Sequence, residues 1–298
     1  MATLSQWVEG ARPRTLPTAI SPVLVGTGAA IGAGAVQPVR AALALVVALG
    51  MVIGVNYAND YSDGIRGTDT DRVGPLRLVG SGVAAASTVR LAAVASLSVA
   101  ALAGLALVSL TQQWWLLAVG AACLLGAWFY TGGRRPYGYV GLGELAVFVF
   151  FGPVAVLGTV YVQGIPPSAL SVLAAIGVGL LACAVLVANN LRDIGTDTAA
   201  GKHTLAVRLG APDTQRLYAA LVVLPFVVTI ITGLRSPTVL LGLLAIPLAV
   251  SPVRRVLSGV TGRRLVSVLR QTGILLLGWS ALTAVGLGLS QLTSFRLF

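Results

Sequence analysis

The chain has 298 residues, is 56 % hydrophobic and only 10 % charged, and carries a formal net charge of +11. A mean hydropathy of +0.91 excludes a soluble globular domain. It asks instead for membrane-spanning helices of about 20 apolar residues each, and the strand-type alternation of a transmembrane barrel is absent from the sequence.

Apolar stretches follow one another at 16–35, 41–59, 83–109, 113–130, 142–162, 168–189, 214–233, 237–253 and 271–291, which predicts nine spans. No soluble domain fits between them, so the expectation is one all-α, polytopic membrane domain over 1–298. Gly, Ala, Leu and Val dominate the spans, as expected where small residues let membrane helices pack closely. Glu9, Arg12 and Arg14 precede the first stretch, which Pro17 and Pro22 interrupt; it reads as a retained helix rather than a cleaved leader. Cys123 and Cys183 fall inside predicted spans, so neither a disulfide nor a thiolate metal site is expected.

The basic excess has an uneven distribution. With nine spans, the N-terminus and the loops after even-numbered spans share one side. Of the 20 Lys and Arg residues, all but Arg40, Arg235 and Arg296 lie there. That makes this side cytoplasmic by the positive-inside rule and the protein a multi-pass resident of the cell membrane. The charge is topology, and no nucleic-acid partner is expected.

The 9 acidic residues are scarce, yet most of them gather in two places. The first cluster runs Asn56-Tyr57-Ala58-Asn59-Asp60-Tyr61-Ser62-Asp63, followed by Asp69 and Asp71; the second runs Asn189-Asn190-Leu191-Arg192-Asp193, followed by Asp197. Each ends an even-numbered predicted span and opens a polar loop on the cytoplasmic side. Asn59 to Asp63 align with Asn189 to Asp193, so a two-part internal repeat is one reading of the chain. Asn56, Asp60 and Asp63 follow i, i+4, i+7, and Asn189, Asp193 and Asp197 follow i, i+4, i+8, each close to one helical face. Carboxylates beside hydrocarbon are expensive and mark functional sites. Grouped oxygen donors suit a hard cation, Mg²⁺ first and Mn²⁺ as an alternative. The predicted metal ligands are Asp60, Asp63, Asp69, Asp193 and Asp197, and four of them, Asp60, Asp63, Asp193 and Asp197, are also the predicted catalytic groups.

Arg66, Arg72, Arg77, Arg192, Lys202 and Arg208 surround these acids. Metal with Arg and Lys is equipment for holding a diphosphate. Arg66, Arg77 and Lys202 are the predicted anion-binding residues, with Asn56, Asn59, Asn189 and Asn190 beside them. Tyr130, Tyr137 and Tyr139, around Arg134 and Arg135, read either as a pocket wall or as an interfacial aromatic belt. Glu144 is a weaker candidate, expected to pair with Arg134 or Arg135. His203, the sole histidine, reads as a loop residue. No Ser-His-Asp set, P-loop or dinucleotide fingerprint is present.

Three segments, in order, resemble the UbiA-type intramembrane prenyltransferases, and within them the branch that prenylates 1,4-dihydroxy-2-naphthoate in menaquinone synthesis. They are Asn56 to Arg77, Tyr137-Gly138-Tyr139-Val140-Gly141-Leu142-Gly143, and Asn189 to Asp197 continued by Gly201 to Gly210. One departure is Gly67, which stands where the wider superfamily has a further Asp; Asp69 or Asp71 would then supply that ligand. The resemblance implies nine helices around a central cavity open to lipid. It implies transfer of a polyprenyl group from its diphosphate to the aromatic acid, with loss of CO2, giving demethylmenaquinone. The substrates would be polyprenyl diphosphate and the aromatic acid, with membrane lipid as surroundings. Two rivals differ in class. Asp60-x-x-Asp63-Gly64-x-Arg66 echoes the opening of the CDP-alcohol phosphatidyltransferase motif, but its continuation is missing. An ion-coupled transporter would use carboxylates nearer the membrane midplane.

Overall fold

The computed structural model describes residues 2–68 and 76–290. Asp69, Asp71 and Arg72 lie outside them. The described residues are helices and turns. Helix α1 (Leu4–Gly10) opens with a reciprocal cap: Gln6 N–H donates to Thr3 Oγ1 (3.3 Å) and Thr3 N–H donates to Gln6 Oε1 (2.8 Å). Pro13 and Pro17 then bend the chain into α2 (Pro17–Gly32), so that Leu4–Thr15 and Pro17–Gly32 meet at 50°. Then come α3 (Pro38–Ile65), α4 (Ala86–Thr111), α5 (Leu116–Phe129), α6 (Gly143–Val162), α7 (Ala169–Ala199), α8 (Leu205–Gly233), α9 (Pro237–Leu257) and α10 (Gly262–Gly288).

Seven of these helices have the length and hydropathy to cross a membrane, and the bent N-terminal pair makes an eighth. The ninth expected span is helix α5, which has only 14 residues, well short of the about 20 that cross the hydrocarbon. Nine full spans are therefore not confirmed among the described residues. The protein is a multi-pass, all-helical membrane protein.

Two helices are longer than predicted in the direction that matters. Helix α3 has 28 residues and α7 has 31, and neither stops where its apolar stretch does. Asn56 to Asp63 and Asn189 to Asp197 therefore sit on helical turns, not on loops. Helix α7 is also the most enclosed of the spans, with 67 % of its apolar window buried. Its neighbours are α6, α8, α10 and α2. Along α7, Ala174, Ala175, Gly177, Val178 and Gly179 are buried, and these small residues let the neighbouring backbones approach.

Local sequence accounts for the irregularities. Pro153 cannot donate within α6, and the helix widens to a π turn over Phe150–Leu157 around it. Gly210 adopts φ 75°, ψ 170° ahead of Pro212, which breaks α8 near its start.

Candidate active site

Helices α2 to α7 enclose a cavity of about 900 Å³. Along most of its length the wall is apolar, with residues such as Val47, Met51, Leu105, Leu124 and Phe151. One end is polar, and there the two acidic clusters meet. Asn56, Asn59 and Asp63 of α3 line it together with Asn189, Asn190, Asp193 and Asp197 of α7. The structure thus unites residues separated by more than a hundred positions in sequence.

Asp63 is the hub of this end and only 4 % exposed. Lys202 Nζ donates to its Oδ1 at 3.1 Å, and Arg77 Nη2 lies 3.7 Å from its Oδ2. The Tyr139 hydroxyl donates to the same Oδ1. Three loops therefore converge on one carboxylate of α3. Lys202 also sits over the Tyr139 ring, 4.6 Å from its centre. Burial first, and then the Asp63 carboxylate, hold the Tyr139 phenol well above its ordinary range. It remains a hydrogen-bond donor at neutral pH.

On α7, Arg192 grips the adjacent Asp193 with a fork: Nε donates to Oδ1 at 2.6 Å and Nη2 to Oδ2 at 2.7 Å. The same Nη2 donates to Asn189 Oδ1 at 2.7 Å. Arg192 was placed near the acids by sequence but not among the site residues, yet it lines the cavity. The signal was there: a basic residue inside an acidic cluster at the end of an apolar helix needs a buried partner.

Asp60 has a different employment from the one its spacing implied. It is fully buried and off the cavity wall. Its Oδ2 accepts from Leu78 N–H at 2.8 Å and its Oδ1 from Val79 N–H at 3.0 Å. This pins the segment that carries Arg77 into the site. Arg66 is likewise turned away from the cavity: it donates to the carbonyls of Thr131 and Gly133 and stacks on Tyr139 at 5.5 Å. Asn56 and Asn59 do line the cavity, and each also ties a neighbouring segment. Asn56 Nδ2 donates to Ala11 O (2.9 Å) and Thr15 Oγ1 (3.0 Å), and Asn59 Oδ1 accepts from Thr131 Oγ1 (2.7 Å).

Tyr130, Tyr137 and Tyr139 all line the cavity, so they form a pocket wall rather than a belt. Tyr130 and Tyr137 meet edge-on, with ring centres 5.4 Å apart. Burial pushes the Tyr137 phenol up to about 12, and its hydroxyl donates to Gly126 O at 2.6 Å. Glu144 does not pair with Arg134 or Arg135, which are exposed; it accepts from Asn190 instead. The N-terminal bend adds Glu9, Arg12 and Arg14 to the wall, and Arg12 Nη2 is buried there without a hydrogen-bond partner. Sequence reasoning had no reason to bring these residues to the site, because their approach depends on the 50° bend.

Among the described residues no three His, Cys, Asp or Glu side chains cluster closely enough to hold a metal by themselves. Asp63, Asp193 and Asp197 nevertheless offer only oxygen, from two helices facing one cavity. That is the donor chemistry of Mg²⁺ sites completed by substrate phosphate rather than by an all-protein cage.

A model of the UbiA prenyltransferase family matches residues 19–267, most of the chain. The chain belongs to the UbiA prenyltransferase family. A 1,4-dihydroxy-2-naphthoate octaprenyltransferase of Mycobacterium tuberculosis is 56 % identical, over 98 % of this chain and 100 % of that protein. The Escherichia coli protein of the same description is 39 % identical over 92 % and 96 % of the two chains. A solved UbiA homolog from Archaeoglobus fulgidus, bound to GPP and Mg²⁺, shares the fold with a TM-score of 0.66 at 15 % identity, over 94 % of this chain and 100 % of that one. Membership of this family sets aside the phosphatidyltransferase and transporter alternatives.

Proposed function

We propose that the protein transfers a polyprenyl group from polyprenyl diphosphate to 1,4-dihydroxy-2-naphthoate, with a divalent cation, Mg²⁺ first, at the polar end of the cavity. One observation carries the reading: Asp63 and the Asp193–Asp197 pair close one end of a long, otherwise apolar cavity. Relatives described as 1,4-dihydroxy-2-naphthoate octaprenyltransferases support the choice of acceptor. The diphosphate-bound, Mg²⁺-bound homolog supports the choice of donor and cation.

The residues divide the work. Asp63, Asp193 and Asp197 would hold the cation against the diphosphate, where its chemistry is to neutralise the charge that grows on the leaving group. Arg77, Lys202 and Arg192 offer fixed donors to the remaining phosphate oxygens. The allylic carbon–oxygen bond breaks and diphosphate leaves with the electron pair. Apolar walls would keep water from the resulting cation, and the Tyr130 and Tyr139 side chains line the same cavity. The electron-rich naphthoate ring forms the new carbon–carbon bond, and its carboxyl group departs as CO2. The product is the quinol form of demethylmenaquinone, since no oxidant takes part. The apolar length of the cavity accommodates isoprene units. The basic side of the molecule sets the polar end toward the cytoplasm.

The test is mass spectrometry of the product from purified protein, a labelled polyprenyl diphosphate and the dihydroxynaphthoate, with and without Mg²⁺. A cation-dependent product whose mass equals acceptor plus prenyl minus CO2 is expected. Diphosphate release without carbon–carbon bond formation would contradict the proposal.

A further inference from the structure

Glu144 is a buried acidic side chain near the site that the proposed reaction leaves unused. It lies in the first turn of α6 and is 9 % exposed, behind the cavity wall rather than on it. Its Oε1 accepts from Asn190 Nδ2 at 2.9 Å, and its Oε2 is buried without a hydrogen-bond partner. A buried carboxylate with one oxygen unbonded is costly, and a neutral side chain of the same shape would be cheaper. Glu144 Oε1 accepts from Asn190, whereas a glutamine could turn either an oxygen or an NH2 group to that neighbour. The carboxylate therefore dictates which end of the neighbouring amide faces it.

We infer that Glu144 is a positioning residue for the aromatic acceptor: it locks the Asn190 amide with Nδ2 inward, so that Asn190 Oδ1 faces the cavity and accepts a hydrogen bond from a phenolic hydroxyl of the substrate. This rests on the function proposed above. Asn190 lines the cavity beside Tyr130, and among the described residues its Oδ1 receives no hydrogen bond. Gly143 leaves room at Tyr130, where a side chain would crowd the hydroxyl, 3.0 Å from a Cβ at that position. The selectivity follows from hydrogen-bond polarity. An ionised diphosphate carries acceptors only, so a lone carbonyl oxygen repels it. A dihydroxylated ring carries donors, and methylating the donor in question leaves the oxygen of Asn190 desolvated and unbonded.

The experiment compares kcat/KM for 1,4-dihydroxy-2-naphthoate with that for each of its two monomethyl ethers, which keep the ring electron-rich but remove one donor. The native enzyme should reject one ether by about tenfold or more, the worth of one good hydrogen bond. Glu144→Gln can present either a donor or an acceptor to Asn190, and should bring that ratio to within about threefold. The KM for prenyl diphosphate should meanwhile stay within about twofold. Asn190→Ala should abolish the same discrimination, and adding Glu144→Gln to it should change the ratio no further. A purely structural role would move both substrates' KM together and keep the ratio. That result, native indifference to both ethers, or discrimination retained in Asn190→Ala, overturns the inference. The last measurement stands even where Glu144→Gln does not fold. A native enzyme that transfers prenyl groups to none of the acceptors overturns the proposed function and this inference with it; activity with an unchanged ratio overturns this inference alone.

Discussion

At the scale of the residue, neighbouring carboxylates of similar sequence context do unlike jobs. Asp60 and Asp63 lie three positions apart on α3, but the first is bonded to backbone amides and the second to side-chain cations. Asp60→Asn keeps one acceptor oxygen where two amides need one each. The unpaired N–H costs about 1–3 kcal/mol, and the segment carrying Arg77 loosens. The expected result is a raised KM for prenyl diphosphate with the cation dependence of turnover unchanged. Asp63→Asn should instead remove the cation response itself, seen as the loss of Mg²⁺ activation. Lys202→Ala and Arg77→Ala each remove a charge-assisted contact worth about 1.5–3 kcal/mol. Both should raise the KM for prenyl diphosphate more than that for the naphthoate. Helical spacing put Asn56, Asp60 and Asp63 on one face, and that much was readable. Which of them faces the cavity was not, because the residues that claim Asp60 lie beyond the helix, in a loop whose course no local pattern encodes.

At the scale of the element, α3 and α7 are long enough to carry their acidic ends beyond a bilayer core. About 20 residues cross the bilayer core, and the 28 and 31 residues of these helices leave turns to spare. Hydropathy alone ended both spans at Asn59 and Asn189, where the apolar run gives out, since it does not register a helix that continues as a polar one. The same blindness applies to α5, whose apolar run on either side includes residues that the helix does not use. Helix packing is set by small residues. At Gly28 and Gly32 of α2 a Cβ would overlap the backbone of Ala284 and Leu287 on α10. Gly28→Val should lower the unfolding temperature in detergent, at a cost of about 1–3 kcal/mol for overpacking, while the KM values of surviving enzyme hold. An unchanged unfolding temperature would mean that the two helices do not meet there.

At the scale of the whole molecule, fold class and membrane residence were legible in composition, and the site was legible because acidic residues are so scarce. The contribution of the N-terminal bend was not: Arg12 and Arg14 read as topology signals and turn out to line the cavity. Orientation is testable independently of chemistry. Thr198 is exposed at the motif end of α7. A Thr198→Cys protein with Cys123 and Cys183 replaced should react with a membrane-impermeant thiol reagent only from the inner face of vesicles. Reaction from the outer face would reverse the topology.

The central claim is that both acidic helices hold one diphosphate together with a cation. Its most direct measurement is equilibrium binding of a non-hydrolysable prenyl diphosphate analogue at increasing Mg²⁺, in the native protein and in Asp63→Asn and Asp193→Asn. The native protein should bind with an affinity that rises with Mg²⁺, and each single substitution, one on each helix, should abolish that rise. Mg²⁺-dependent binding that survives in either variant would contradict a shared site.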